Sequence, residues 1–181
     1  MCKMEIEQTI IPGVKLIHLK VVNDLRGSFI KVFNKDFFEE KGLESNFKES
    51  YYSISSKNVI RGMHFQTPPA EHTKLVYVNN GSVRDVILDI RKDSPTYGNF
   101  FNVKLISNNL TLVYIPSGCA HGFISLEDRT MVTYLQTSCY NPNCDAGIKY
   151  NSFSMDWGIN HPILSKRDDS FLPFKQFNSP F

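Results

Sequence analysis

The sequence predicts an all-β protein in which antiparallel strands form a sandwich or barrel and helices are few and short. Three observations lead there. Between about residues 50 and 150, short runs rich in Val, Ile, Leu, Tyr and Phe are separated by turn residues. No strand-like run alternates with a helical stretch long enough to cross over, as a parallel doubly wound sheet requires. The 181 residues include 14 Phe and 8 Tyr within a hydrophobic fraction of 41%, enough apolar material for one domain with a substantial core.

The elements follow in order. The N-terminal stretch "MCKMEIEQTIIPGVKL" carries acidic residues where a secretory signal needs an unbroken apolar run, and it reads as a strand arm. In "NKDFFEEKG", residues 34–42, Asn34 is a good helix cap, acidic residues occupy the early turns and Gly42 can end the helix. "KLVYVNNGSVRDVILDIR", residues 74–91, is two β-type runs around Asn79-Asn80-Gly81, and it predicts a tight hairpin. "FFNVKLISNNLTLVYI", residues 100–115, repeats the plan around Ser107-Asn108-Asn109, so antiparallel pairing is expected within each segment. The closing "SKRDDSFLPFKQFNSPF", residues 165–181, predicts a short turn or helix and then an irregular tail.

Composition removes several functions. Twenty basic and eighteen acidic side chains leave a formal charge of +2 with no basic block, which disfavours nucleic acid as a partner. No stretch approaches the length of a membrane span, so the expected location is cytoplasmic and no membrane partner is expected. Cys2, Cys119, Cys139 and Cys144 lack the spacing of a zinc site and are too few for a disulfide scaffold, so they are expected as reduced thiols. The glycine-rich phosphate loops and the serine elbow of hydrolases are both missing.

The remaining chemistry concentrates in two places. Within "IRGMHFQTPPAEHTK", residues 60–74, strand alternation puts His64 and Gln66 on one face and Met63 and Phe65 on the other. Gly62 permits a local bulge that swings Arg61 toward the histidine's side. In "IPSGCAHGFISL", His121 follows a Pro116-Ser117-Gly118 turn, and the adjoining Gly122 permits close approach of a ligand or a strand. Each also has a plainer reading: His64 as a hydrogen-bonded interior histidine, His121 as an exposed turn residue, Tyr134 and Tyr140 as packing aromatics, and Asp168 as a turn or cap carboxylate. Convergence of His64, His72 and His121 on a metal is the weaker possibility, since the His-x-His pair common in β-barrel metal sites is absent, and no metal is expected.

Taken jointly, "RGMHFQ" with Lys74 eight residues beyond it, "DVILDIRKDSPTYG", "IPSGCAHGF", "TYLQTSCYNP" and "LSKRD" resemble, in order and spacing, the dTDP-4-dehydrorhamnose 3,5-epimerase family. The resemblance runs from roughly residue 10 to residue 170. It implies an antiparallel cupin-like jelly roll as a single domain over residues 1–181, generally a homodimer, that epimerises a nucleotide-diphosphate 4-keto sugar without a cofactor. It implies His64 as base, Asp168 as its orienting carboxylate, and Lys74, with His121, facing the charge on the 4-keto oxygen. Tyr134 resembles the acid on the opposite face of the sugar. Arg26 and Arg61 would hold the diphosphate, Tyr140 would stack on the nucleotide base, and Gln66, Asp145 and Arg167 would make further substrate contacts.

The departures bear on substrate. Lys31 replaces the family's glutamate, "ESYYS" at residues 49–53 replaces its usual glutamine-aspartate-asparagine-histidine-serine stretch, and His161-Pro162 replaces tryptophan-proline. The first two are expected near the nucleotide end, where they would admit another base or another sugar. Two other functions remain open at this point: a sugar-nucleotide-binding cupin without turnover, and a metal-dependent cupin oxygenase or isomerase.

Overall fold

The computed structural model describes residues 4–181; Cys2 lies outside them. Thirteen strands run β1 Glu5–Gln8, β2 Lys15–His18, β3 Val21–Asp24, β4 Gly27–Ile30, β5 Glu49–Ser55, β6 Ile60–Gln66, β7 Lys74–Asn80, β8 Ser82–Asp89, β9 Phe100–Ile106, β10 Thr111–Ile115, β11 Cys119–Ser125, β12 Thr130–Gln136 and β13 Asp145–Gly147. Two short helices, α1 Lys35–Glu40 and α2 Lys166–Asp169, and a single 3-10 turn at Phe174–Gln176 complete the described elements. Among the described residues, no helix is long and apolar enough to cross a membrane.

The strands form a six-stranded sheet in the order β1-β2-β10-β7-β12-β5, a five-stranded sheet in the order β13-β6-β11-β8-β9, and a separate β3-β4 hairpin. Every ladder is antiparallel. Strand alternation then sorts the side chains into layers. Val76, Val113, Val132 and Tyr134 of the larger sheet meet Val83, Ile87, Leu105 and Phe123 of the smaller one in the central core. The outer face of the smaller sheet (Ile60, Met63, Phe65, Leu88) is covered by Trp157 and by Phe174, Phe177 and Phe181 of the C-terminal segment. The outer face of the larger sheet (Ile17, Leu75, Leu112) is covered by Phe38 of α1. The fold is the cupin-like, antiparallel β architecture that the sequence predicts.

Helix α1 forms where its caps place it. The Asn34 side chain accepts the Phe37 N–H at 2.9 Å, and the chain leaves the helix through Gly42 at φ +65°.

Two expectations are corrected. The turn at Asn79-Asn80-Gly81 exists, but β7 and β8 do not pair: β7 lies between β10 and β12, and β8 between β11 and β9 in the other sheet. Strands β9 and β10 likewise separate into different sheets. The reason lies in burial. Strand β8 is buried at almost every position, and a strand apolar on both faces is satisfied in the middle of a covered sheet rather than in a two-stranded ribbon. Gly81 serves this sheet crossing: a Cβ there would stand 2.5 Å from Thr130 Oγ1, where β12 begins.

The tail after α2 is irregular, as expected, and is tied down. Ser179 Oγ donates to the Ile90 carbonyl, and the Lys92 N–H donates to the Phe181 carbonyl at 3.0 Å.

Candidate active site

Strand β6 enters the site through a bulge. Its register with β11 pairs Arg61 with Phe123 and His64 with His121, so Gly62 and Met63 oppose Gly122 alone. Only glycine fits this crossing. A Cβ on Gly62 would lie 2.5 Å from Gly122 Cα, and Gly62 has φ +142°. Beyond the bulge, Met63 and Phe65 pack outward, and His64 and Gln66 face a cavity of about 360 Å³.

His64 Nε2 lies 2.9 Å from Asp168 Oδ1, with the imidazole 28% exposed and the carboxylate 5%. Asp168 sits in α2, where its N–H is capped by Ser165 Oγ at 3.0 Å. Its second oxygen accepts the Gly62 N–H at 3.1 Å, joining the bulge to the dyad. Burial opposes ionisation of Asp168, but hydrogen bonds from His64, Gly62 and Ser165 and the His64 charge outweigh it, and the carboxyl is held below its usual range. Burial also lowers the His64 pKa, against the raising effect of Asp168. The dyad therefore presents a neutral imidazole with one nitrogen occupied and the other free to take a proton. Phe171 packs edge-on to the His64 ring at 5.8 Å, in room left by Gly147, the register partner of His64 on β13.

Lys74 faces His64 from the other sheet. Its side chain is buried, and its Nζ donates to the His64 carbonyl at 3.1 Å. Burial pushes its pKa down to about 8, with Asp85 and Asp145 opposing. The register places two rows across the larger sheet, Glu49–Gln136–Lys74 and Tyr51–Tyr134–Val76.

The other sequence-selected residues divide. Asp145 and Arg167 line the cavity and pair at 2.6 Å. Tyr140 lines it too, with its hydroxyl 3.4 Å from Asp145 Oδ2. Gln66 lines it but is spent on structure: its Oε1 accepts the Asn141 N–H at 2.6 Å and its Nε2 donates to the Ala70 carbonyl at 2.8 Å. Arg61 swings toward β5, donating to Ser55 Oγ at 3.0 Å and to the Ile54 carbonyl at 3.3 Å, and it is not among the lining residues. Arg26 is not brought to the cavity either: it stands at the exposed turn of the β3-β4 hairpin, paired with Asp24.

His121 and Tyr134 lie behind the cavity wall. His121 is 3% exposed, so it is not an exposed turn residue. Its Nε2 is 2.7 Å from buried Asp85 Oδ1, and its ring packs edge-on to Tyr134 at 6.0 Å. Tyr134 projects from the sheet opposite His64 and is 7% exposed. Burial, and then Tyr51, push its pKa well above the usual phenol range, so it holds its proton. The three histidines diverge onto separate partners, and among the described residues no three His, Cys, Asp or Glu groups are placed to hold a metal ion. Cys119 and Cys144 are buried and Cys139 is exposed, all three as free thiols.

Sequence reasoning passed over Asp85 and Gln136, weighed His72 only as a candidate metal ligand, and took Glu49 and Tyr51 only as departures from a pattern. Asp85 had a signal: a lone carboxylate inside the apolar run "DVILD" needs a buried partner. His72 and Gln136 had none, because their part in the wall depends on which strands become neighbours. Tyr51 lies against Tyr134, the rings stacked at 4.8 Å and 18°, while Tyr52 points away into solvent.

Known proteins share this arrangement of sheets. The profile of dTDP-4-dehydrorhamnose 3,5-epimerase matches residues 8–176. The dTDP-4-dehydrorhamnose 3,5-epimerase of Methanothermobacter thermautotrophicus is 36% identical over 181 residues, covering 97% of each chain. That of Shigella flexneri is 38% identical over 168 residues, covering 91% of this chain and 93% of its own. The crystal structure of the dTDP-6-deoxy-D-glucose-3,5-epimerase of Legionella pneumophila, in complex with dTDP-4-keto-L-rhamnose, superposes with a TM-score of 0.92 at 34% identity, covering 97% of this chain and 95% of that one. Agreement in sequence and in fold along nearly the whole length leaves one conclusion: the chain belongs to the dTDP-4-dehydrorhamnose 3,5-epimerase family and is an epimerase of the isomerase class.

Proposed function

We propose that the protein inverts C3, or C3 and C5, of a nucleotide-diphosphate 4-keto-6-deoxy sugar, hexose or heptose, for surface polysaccharide such as capsule or lipopolysaccharide. The observation that carries this reading is the His64–Asp168 dyad opening on a cavity with Lys74 beside it. A hydrogen next to a ketone is acidic because its anion delocalises onto the carbonyl oxygen. Removing it takes a base and a positive partner for that oxygen, and no electrons are exchanged, so the step needs neither metal nor organic cofactor.

His64 takes the proton. Asp168 orients the ring and stabilises the imidazolium that forms. Lys74, with His121 behind it, faces the enolate oxygen, where a cation in a water-poor site is worth most. Tyr134, on the facing sheet, returns a proton to the opposite side of the carbon. Arg167 and Asp145 contact the substrate, Tyr140 stacks on the base, and Arg61 and Arg26 serve the diphosphate. Arg26 is turned away from its own cavity, so it can serve only the site of a second copy. Exposed Val22, Leu25 and Phe29 on the same hairpin favour a homodimer that covers them. We place the enzyme in the cytoplasm, as one domain over residues 1–181.

The test is solvent exchange. In deuterated water, with thymidine-, guanosine- and uridine-linked 4-keto sugars, deuterium should enter C3, or C3 and C5, of one of them, with full activity in chelator. A wild-type enzyme that labels neither carbon of any of the three overturns the reading.

A further inference from the structure

Tyr51 holds a position that no assignment above explains. It stands opposite Tyr134 in the β5-β12 register, its ring stacked on the Tyr134 ring. Tyr51 lines the cavity together with His64 and Lys74, whereas Tyr134 does not. Strand β5 is the edge of its sheet, which leaves Tyr51 42% exposed. A molecule entering the cavity therefore meets the Tyr51 ring before it can meet Tyr134.

The Tyr51 hydroxyl is held in place. Its oxygen accepts from Gln136 Nε2 at 2.6 Å, and Gln136 is the register partner of Lys74. With the oxygen engaged as an acceptor, the hydroxyl proton is available for a partner in the cavity. Burial, Glu49 and Asp145 push the phenol up to about 12, so it keeps that proton at neutral pH. A tyrosine so placed offers an apolar ring to the C–H face of a sugar and a polar tip to one of its oxygens.

We propose that Tyr51 is a specificity-determining residue of the sugar subsite: its ring covers Tyr134, and its hydroxyl donates a hydrogen bond to an oxygen of the bound sugar. The inference rests on the epimerase reading. Its consequence is that the sugar's depth and tilt, and so which carbon comes within reach of His64 and Tyr134, are set by the Tyr51 ring.

The test uses the full chain with Tyr51→Phe, which deletes only the hydroxyl, and Tyr51→Asn, which deletes the cover, both checked by thermal melting. Hydroxyl-radical footprinting without ligand reads the cover. Tyr134 should stay protected in the wild type and in Tyr51→Phe, and should oxidise several-fold faster in Tyr51→Asn; equal oxidation in all three overturns the proposal. Thymidine-, guanosine- and uridine-linked 4-keto-6-deoxy hexoses and heptoses then serve as substrate probes. Tyr51→Phe should raise KM roughly three- to tenfold, the size of one lost neutral hydrogen bond, while the acid limb of the pH profile stays in place. Tyr51→Asn should also change the ratio of deuterium entering C3 to that entering C5. Wild-type exchange with both variants within twofold of it in KM and in that ratio overturns this inference alone. No wild-type exchange on any probe overturns the epimerase reading, and this inference with it.

Discussion

Asp168 Oδ1 lies 2.9 Å from His64 Nε2 across more than a hundred residues of sequence, and the same carboxylate receives the Gly62 N–H through its other oxygen. One side chain thus fixes both the ring that acts as base and the bulge that aims it. Asp168→Asn keeps the shape but offers a single acceptor to two donors. We expect kcat to fall about 10²-fold, near the lower end of what a positioned base contributes, with KM changed less than about threefold. Steady-state kinetics checks this, and a variant with wild-type kcat would leave the dyad without a catalytic role.

The two faces of the sugar should separate in exchange experiments. His64→Asn should abolish solvent deuterium incorporation, because no other neutral base in the cavity is oriented by a carboxylate. Tyr134→Phe should retain exchange at C3 and lose epimer formation by about 10²-fold or more. Proton NMR reads both in one tube. Equal loss of exchange and epimer in Tyr134→Phe would place the phenol in the abstraction step instead.

The pH profile should be a bell with assignable limbs. His64 works in its neutral form, and burial lowers its pKa from 6.5, so activity should persist as pH falls past 6.5 and be lost only below it. Lys74 works as a cation and titrates at about 8, so kcat/KM should decline above that pH. Lys74→Arg, whose charge does not titrate in this range, should move the alkaline limb upward even if the plateau drops. An alkaline limb that stays near 8 in this variant would assign it to another group.

Gly147 should tolerate no side chain. A Cβ there would stand 2.3 Å from the Phe171 ring, and Phe171 packs against His64. Gly147→Ala should cost about 1–3 kcal/mol, as overpacking does, with Tm falling roughly 2–4 °C per kcal/mol for a chain of this length. It should lower kcat as well, because the ring displaced is the one that seats the base. Calorimetry and kinetics on the same preparation check both effects.

What the sequence determined by itself is what local rules and motif order carry. Alternation of apolar residues placed His64 and Gln66 on the cavity face and Met63 and Phe65 in the core. Asn34 and Gly42 bounded α1, Gly62 marked the bulge, and five motifs in register led to the family. Tertiary structure alone decided which strands became neighbours. The runs on either side of Gly81 pass into different sheets because both faces of β8 must be covered, and turn chemistry carries no record of that demand. The same long-range pairing joins Asp85 to His121, seats Gln136 between Glu49 and Lys74, and lays Tyr51 over Tyr134. A cross-strand contact is set by the register of the assembled sheets, which no short window of sequence contains.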